Sequence, residues 1–345
     1  MRLAEIMALR QTICAGVLVT LTERCPLRCA HCSSSSDMRG RQLDGAALLR
    51  LVGTFTRECR PDVLMLTGGE PMLRPDLVAD TAQAARAAGT RTAALSGAFF
   101  ARDNGIPAPI MRAFRALDHV SFSLDAFHER EVPRRNVFAV LRTVLRLGVA
   151  TSLHIVGDDP YLQQLSTEVL TMFGSDVPML VSAVKPIGRA ASWARRQHTP
   201  PDGLAAAPCA MAAWPVVTAD GHVVSCCNQS VVDGPARPEH LRLGELGTTW
   251  ASIRARAHNS PVLRMIRTVG PVYIASQGGS PGSTDYCGTC QRLGESPSAV
   301  EWAVRAGSGP AGELLQATAS SQAGGVEALI RRHGVARYAH LVGKP

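Results

Sequence analysis

A chain of 345 residues with 46% hydrophobic and 19% charged residues can bury a substantial core, which excludes a disordered protein and allows one large domain or two smaller ones. The net charge of +8 is carried almost wholly by arginine, because Lys185 and Lys344 are the only lysines. Those arginines are scattered over helical stretches without aromatic interleaving, the pattern of solvated helix faces rather than of a nucleic-acid surface, although a preference for an acidic substrate or peptide stays open.

Arg2, Arg10 and the apolar residues Ile13 to Val19 imitate a secretory signal, but Glu5 interrupts the start and no small-residue cleavage site follows. No run approaches the ~20 apolar residues of a membrane span. Ten cysteines, several at metal-ligand spacing, indicate a reduced metalloprotein, and hence a cytoplasmic and oxygen-sensitive one, rather than a disulfide scaffold.

The first apolar run, Ala15 to Val19, ends in Thr-Leu-Thr and leads into Arg24–Cys32, which places Cys25, Cys29 and Cys32 in a C-x3-C-x2-C loop. Three thiolates so close can converge on one iron–sulfur cluster and leave one iron without a protein ligand. A zinc site is the alternative, but it would need a fourth Cys or His at zinc spacing, and His31 sits between two of the cysteines. Ser33 to Met38 is polar and reads as a loop over the cluster.

Apolar residues at helical spacing predict a helix over Leu43 to Cys59, and the Val63-Leu-Met-Leu run predicts a buried parallel strand ending in Gly68-Gly69-Glu70-Pro71. The alternation continues with helices over Leu77–Ala88, Ala108–Leu117, Val137–Leu147 and Tyr161–Phe173, and strands over Thr90–Leu95, His119–Leu124, Ala150–Val156 and Pro178–Val184. Such a repeat implies an α/β fold with a parallel sheet, here a partial (β/α)6 barrel with its chemistry at the C-terminal ends of the strands.

The pattern breaks at His198-Thr-Pro-Pro-Asp-Gly, a linker. Beyond it, Trp214–Val217 and His222–Ser225 flank Ala219-Asp220-Gly221 as a hairpin, bracketed by Cys209 and Cys226. Helices over Thr249–Ala257 and Val262–Thr268 and a Gly/Ser-rich loop, Gln277 to Asp285, lead to Cys287-Gly-Thr-Cys290. The remainder, alanine-rich and helical with breaks at Gly307 to Gly312 and Gly324-Gly325, carries no metal-binding cysteine. The expected organisation is a barrel over 1–196, a small hairpin-and-helix cluster-binding domain over 197–295 and a helical C-terminal extension over 296–345.

The cysteine loop after a first strand, with Gly68-Gly69-Glu70-Pro71 closing the second, resembles the radical S-adenosylmethionine superfamily. That resemblance implies a four-iron, four-sulfur cluster on Cys25, Cys29 and Cys32, with S-adenosylmethionine chelating the fourth iron. His31 is a mild departure, because the family usually has an aromatic residue there. Gly68, Gly69 and Glu70 would approach the methionine amino group, Pro71 would fix the turn, and Ser96, Ser123 and Asp125 stand where family members bind ribose and carboxylate, although ordinary strand-end roles explain those three equally well. Lys185 and Arg189 would face the same pocket and suit a carboxylate. His128 or Glu129 would serve as acid or base, against the commoner structural role of such a histidine. No catalytic residue is assigned.

The second set, Cys209-x11-Gly221-x4-Cys226 and then Cys287-x2-Cys290, resembles the twitch form of the SPASM extension, which binds one auxiliary four-iron cluster. A four-cysteine zinc ribbon would use the same residues. Cys227 is a substitute ligand, and Cys14 and Cys59 read as buried small hydrophobes.

The resemblance implies reductive cleavage of S-adenosylmethionine by an electron from a flavodoxin- or ferredoxin-type donor, followed by hydrogen abstraction from a substrate C–H bond. The auxiliary cluster would then take the substrate's electron in a dehydrogenation or a C–S or C–C cross-link, or support an epimerisation with Cys227 as hydrogen donor. A ribosomally made peptide is the expected substrate. The short chain before the first strand, which leaves no room for a fused leader-recognition domain, keeps an aminocyclitol or sugar alcohol as the alternative. A non-catalytic iron–sulfur or zinc partner protein is the third reading, opposed by the intact loop and turn.

Overall fold

The computed structural model describes residues 1–102, 105–157, 159–194, 207–235, 237–279, 285–322 and 324–343. The linker expected at His198 to Gly203, the boundary at 196/197 and Lys344 lie outside the described residues.

Six parallel strands, β1 (Gly16–Thr22), β2 (Val63–Gly68), β3 (Arg91–Ser96), β4 (His119–Ser123), β5 (Ala150–Val156) and β6 (Met179–Ser182), stand side by side in chain order. Helix α1 (Leu3–Leu9) precedes them, and α2 (Gly45–Val52), α3 (Pro75–Ala87), α4 (Ala108–Ala116), α5 (Arg134–Arg146) and α6 (Asp159–Phe173) provide the crossovers. Val63 and Leu64, neighbours that point to opposite faces of β2, are both buried completely, as are Leu66, Val120 and Phe122, as expected for strands covered on both faces. The sheet is an open partial barrel.

The predicted helix over 43–59 stops at Val52. Asp44 caps its start, its Oδ1 accepting from the Ala46 and Ala47 amides at 2.9 and 3.2 Å, and beyond Gly53 the Thr54 hydroxyl donates to Leu51 O at 2.7 Å. The apolar pattern ran on because Phe55 is buried too, but against Trp250, whose ring lies 5.5 Å away. Asp44→Ala is expected to cost about 1 kcal/mol in urea unfolding through loss of the cap.

The hairpin of β7 (Val216–Val217) and β8 (His222–Val224) does not form a sheet of its own. Strand β7 pairs parallel with β1, and β9 (Arg242–Glu245), which hydrophobic patterning did not reveal, pairs antiparallel with β8, so one nine-stranded sheet runs from β6 to β9. The helices that follow are α7 (Gln229–Val232), α8 (Trp250–Asn259), α9 (Pro261–Thr268), α10 (Pro271–Gln277) and α11 (Tyr286–Gln291).

The C-terminal stretch is helical, as α12 (Pro297–Gly307), α13 (Gly309–Gln322), α14 (Val326–His333) and a 3-10 turn over Ala336–Val342. It returns to the barrel: the Val335 amide donates to Val181 O at 3.0 Å, and Ile330 and Val342 pack with Leu3 and Ala4 of α1. Strand β6 is an edge, and this segment covers it. No helix among the described residues is long and apolar enough to cross a membrane.

Candidate active site

Strand β1 delivers the cysteine loop and β2 delivers the glycine turn, and parallel pairing brings the two ends together. The Gly69 amide donates to Thr22 O at 2.6 Å and the Glu70 amide to Arg24 O at 2.8 Å. A Cβ on Gly68, whose φ is +131°, would lie 2.3 Å from Thr22 O, and one on Gly69 would lie 2.3 Å from Arg24 O. Only glycine lets the turn rest on the loop backbone.

Glu70 is completely buried. Its Oε1 accepts from the Met72 amide and the Ser96 hydroxyl, both at 2.9 Å, and its Oε2 accepts from the Gly97 amide at 2.8 Å. Burial nevertheless outweighs these donors and pushes its carboxyl up to about 7.

A cavity of about 470 Å³ opens at the C-terminal ends of the strands, and Cys25, Cys29, Cys32, Gly68, Gly69, Glu70, Ser123 and Asp125 all line it. Pro71 and Ser96 are buried and do not line this cavity; Ser96 meets it through Glu70, and its hydroxyl also accepts from the Ala98 amide at 3.0 Å. Burial pushes the Cys25 thiol up to about 11 and the Cys29 thiol up to about 12. The negative charges of Glu70 and Cys32 add to the first, and those of Asp125, Cys25 and Cys32 to the second. To become thiolates beside Glu70 and Asp125, the buried Cys25 and Cys29 need cationic character at the centre of the site, and an iron cluster with a ligand bearing an ammonium and a sulfonium matches that need. Among the described residues, no three His, Cys, Asp or Glu side chains are gathered as for a single metal ion, whereas a four-iron cluster takes one thiolate per iron.

Asp125 is buried, its Oδ1 accepting from the Phe127 and His128 amides at 2.9 Å, while Oδ2 lies 3.2 Å from His31 Nε2. The His31 ring stacks on Phe127 with centroids 4.9 Å apart, so the loop histidine does occupy an aromatic setting. Burial lowers the His128 pKa, which leaves a neutral ring. Its Nε2 lies 2.7 Å from Gly97 O and donates to it, a supporting position behind the Glu70 turn. Glu129 is held by Arg134, whose Nη2 donates to it at 3.0 Å, and does not line the cavity.

His154 also lines the cavity and was not singled out from sequence. It stands beside Ser123 in the β4–β5 register, with its Nε2 3.2 Å from Ser182 Oγ. A polar residue next to an expected cavity residue on the neighbouring strand was the available signal. Lys185 and Arg189 line the cavity as well, but Arg189 uses its Nε and Nη1 on the carbonyls of Cys29 and Ser36.

The second set of cysteines is gathered by distant elements. Cys209 precedes a 3-10 turn, Cys226 follows β8, and Cys287 and Cys290 lie on α11. Burial raises all four thiols; Cys209 and Cys287 further raise Cys290, while Cys227, Cys290 and Cys209 further raise Cys226. The Asn228 amide donates to Cys226 Sγ at 3.4 Å. Arg10, only 8% exposed and stacked 4.7 Å over Trp214, donates from Nη2 to Cys227 Sγ at 3.2 Å. Cys227, Asn228 and Gln229, which follow Cys226 in the chain, line the barrel cavity, whereas Cys209, Cys226, Cys287 and Cys290 do not. Cys14 is buried with its thiol pushed up to about 12, and Cys59 packs half-buried against the core.

Residues 19–163 match the model of the Radical SAM superfamily. The chain is similar to the PqqA peptide cyclase of Methylorubrum populi, 35% identical over 156 residues that cover 41% of this chain and 38% of that protein. Over 78 residues it is 38% identical to molybdenum cofactor biosynthesis protein 1 of Homo sapiens, covering 21% of this chain and 12% of that one. The chain thus spans less than two-fifths of the length of these relatives. Among solved structures, native anSMEcpe with bound AdoMet and Cp18Cys peptide superposes with a TM-score of 0.51 at 11% identity, over 84% of this chain and 99% of that one, a likeness of fold. Residues 19–163, which hold the cysteine loop after β1 and the Gly-Gly-Glu-Pro turn after β2 on the open parallel barrel, are thus a radical S-adenosylmethionine superfamily domain.

Proposed function

We propose that the protein cleaves S-adenosylmethionine reductively and uses the resulting radical for an oxidative modification of a ribosomally made peptide. The observation that carries the reading is the single cavity shared by Cys25, Cys29, Cys32, the Gly68–Glu70 turn and Cys227, the neighbour of Cys226. The peptide substrate rests on the similarity to PqqA peptide cyclases.

Cys25, Cys29 and Cys32 would hold the first cluster, and Cys209, Cys226, Cys287 and Cys290 an auxiliary one, with Cys227 in reserve. When bound, the first cluster and S-adenosylmethionine supply the carbon radical that removes a substrate hydrogen. Gly68 and Gly69, which let the turn rest on the loop backbone, would bring that backbone to the cofactor's amino acid end, and ionised Glu70 would offer its ammonium a carboxylate. Glu70 also fixes Gly97 and Ser96 beside that end, while Ser123 and Asp125 face it from β4. His154 and Ser182 form the polar wall of β5 and β6, where a peptide backbone finds hydrogen-bonding partners. Cavity walls at the strand ends keep water and stray hydrogen donors from the reacting carbon.

Anaerobic reconstitution is expected to load about eight irons per chain, from two four-iron clusters. Dithionite should then release 5'-deoxyadenosine. Cys287→Ala with Cys290→Ala should remove about half of the iron and spare part of the cofactor cleavage. With a deuterated candidate peptide, label should pass into 5'-deoxyadenosine and the peptide should lose two hydrogens. Zinc in place of iron, or no cleavage, would sink the reading.

A further inference from the structure

The segment after β6 does more than line the cavity. The cysteine loop has no regular secondary structure from Leu27 to Cys32; inside it the Cys32 amide donates to Cys29 O at 3.2 Å, and further donors to its carbonyls come from outside the loop. One short stretch supplies them. The Arg189 amide donates to Cys32 O at 2.9 Å, its Nε to Cys29 O at 2.9 Å and its Nη1 to Ser36 O at 2.7 Å. Trp193 Nε1 donates to Ala30 O at 3.1 Å. Gly188, with φ +57°, lies so close that a Cβ would fall 2.3 Å from Cys32 O and 2.4 Å from Ser33 O. The Trp193 ring then stacks on Phe127, 5.2 Å between centroids, and Phe127 stacks on His31 of the loop.

We propose that residues 187–193 are a strap that sets the shape of the cysteine loop, with Arg189 as its positioning residue and the mutually tilted Trp193, Phe127 and His31 rings as its lateral brace. The function deepens the cluster reading and rests on it. Two nitrogens of one planar guanidinium span carbonyls on both sides of Cys32, a task a lysine ammonium, as a point charge, cannot perform at both places at once. Arg189 therefore acts on the loop backbone rather than on a cofactor or substrate carboxylate.

The test has two arms. In the iron-free full-length chain, Arg189→Ala should raise hydrogen exchange of the amides from Cys29 to Ser36 about tenfold or more, with exchange in β1 to β6 unchanged, and Arg189→Lys should resemble the alanine variant. Trp193→Phe, at a position 46% exposed where folding is not at risk, should raise exchange near Ala30 by a smaller factor. In the reconstituted chain, the change that S-adenosylmethionine makes in the electron paramagnetic resonance spectrum of the reduced cluster should be broadened or lost in Arg189→Ala. Chelator-driven iron loss from the loop should rise about tenfold, as for other residues that orient metal ligands. Wild-type exchange in both the Arg189 and Trp193 variants would overturn the strap. A wild-type chain whose spectrum ignores S-adenosylmethionine would instead overturn the cluster reading, and the iron-free exchange data would still decide the strap.

Discussion

Gly69→Ala is expected to abolish S-adenosylmethionine binding and to destabilise the chain by roughly 3 kcal/mol or more, the scale of a forced backbone displacement in a packed interior. The added Cβ would stand 2.3 Å from Arg24 O and 2.7 Å from Arg24 C, and neither group is the far end of a flexible side chain. The turn cannot retreat without giving up the Gly69 amide bond to Thr22 O at 2.6 Å and the Glu70 amide bond to Arg24 O at 2.8 Å. Those two bonds join the glycine turn to the start of the cysteine loop. One methyl group therefore disturbs both halves of the site. Urea unfolding of the iron-free chain and equilibrium dialysis of the reconstituted chain would measure the two effects, and a variant with wild-type values in both would disprove the close packing.

The second large effect is one of pH, and it belongs to Glu70. Its carboxyl lies at about 7 in the folded chain, against an ordinary value of 4.5. Between those two values the folded chain holds a proton that the unfolded chain has released. The stability linked to this group is full below pH 4.5 and declines as pH rises toward 7, by about 3 kcal/mol in total. Glu70→Gln should remove that decline. The comparison must be made as a difference between variant and wild type, because burial lowers the pKa of His119, His128, His240 and His333. Those rings contribute the opposite slope, stability that grows as pH rises toward their unfolded value. Urea midpoints of the two iron-free chains from pH 5 to 8 are expected to lie closest at the acid end, where Glu70 is protonated, and to part as pH rises toward 7, the wild type becoming the less stable. In the loaded enzyme the same carboxylate would face an ammonium, so S-adenosylmethionine binding below pH 7 should release a proton, measurable by calorimetry in buffers of different ionisation enthalpy.

The barrel was legible because each of its strands is short, apolar and separated from the next by one amphipathic helix. The Val63 to Leu66 run has no polar face to misplace, and parallel pairing in chain order follows from right-handed crossovers. The cysteine loop and the Gly68–Pro71 turn were legible because their spacing is local. Arg189 was expected to meet a carboxylate and instead holds the carbonyls of Cys29 and Ser36. No local pattern distinguishes those partners, since a guanidinium donates equally well to either. His154 was missed for a related reason: its neighbours Ser123 and Ser182 come from two other strands.

The helix that was drawn too long shows the same limit from the apolar side. Phe55 continues a helical period but owes its burial to Trp250, which lies 195 positions away in a different part of the sheet's cover. The parallel pairing of β7 with β1 had no signature either, because a hairpin signal specifies how two strands meet each other and says nothing about the strand they join.

The sequence by itself determined the class of chemistry: the thiol spacing of Cys25, Cys29 and Cys32, the two glycines before Glu70, and the alternation that places both at strand ends. Only the tertiary structure decided that Cys227, beside Cys226, lines the same cavity as the cysteine loop, that the C-terminal turn covers β6, and that the segment after β6 bonds to the cysteine loop. Spacing along the chain governs what a few neighbouring residues can bind together. Which distant carbonyl a guanidinium meets, or which edge a hairpin extends, is set by packing and by the requirement that every buried polar group find a partner.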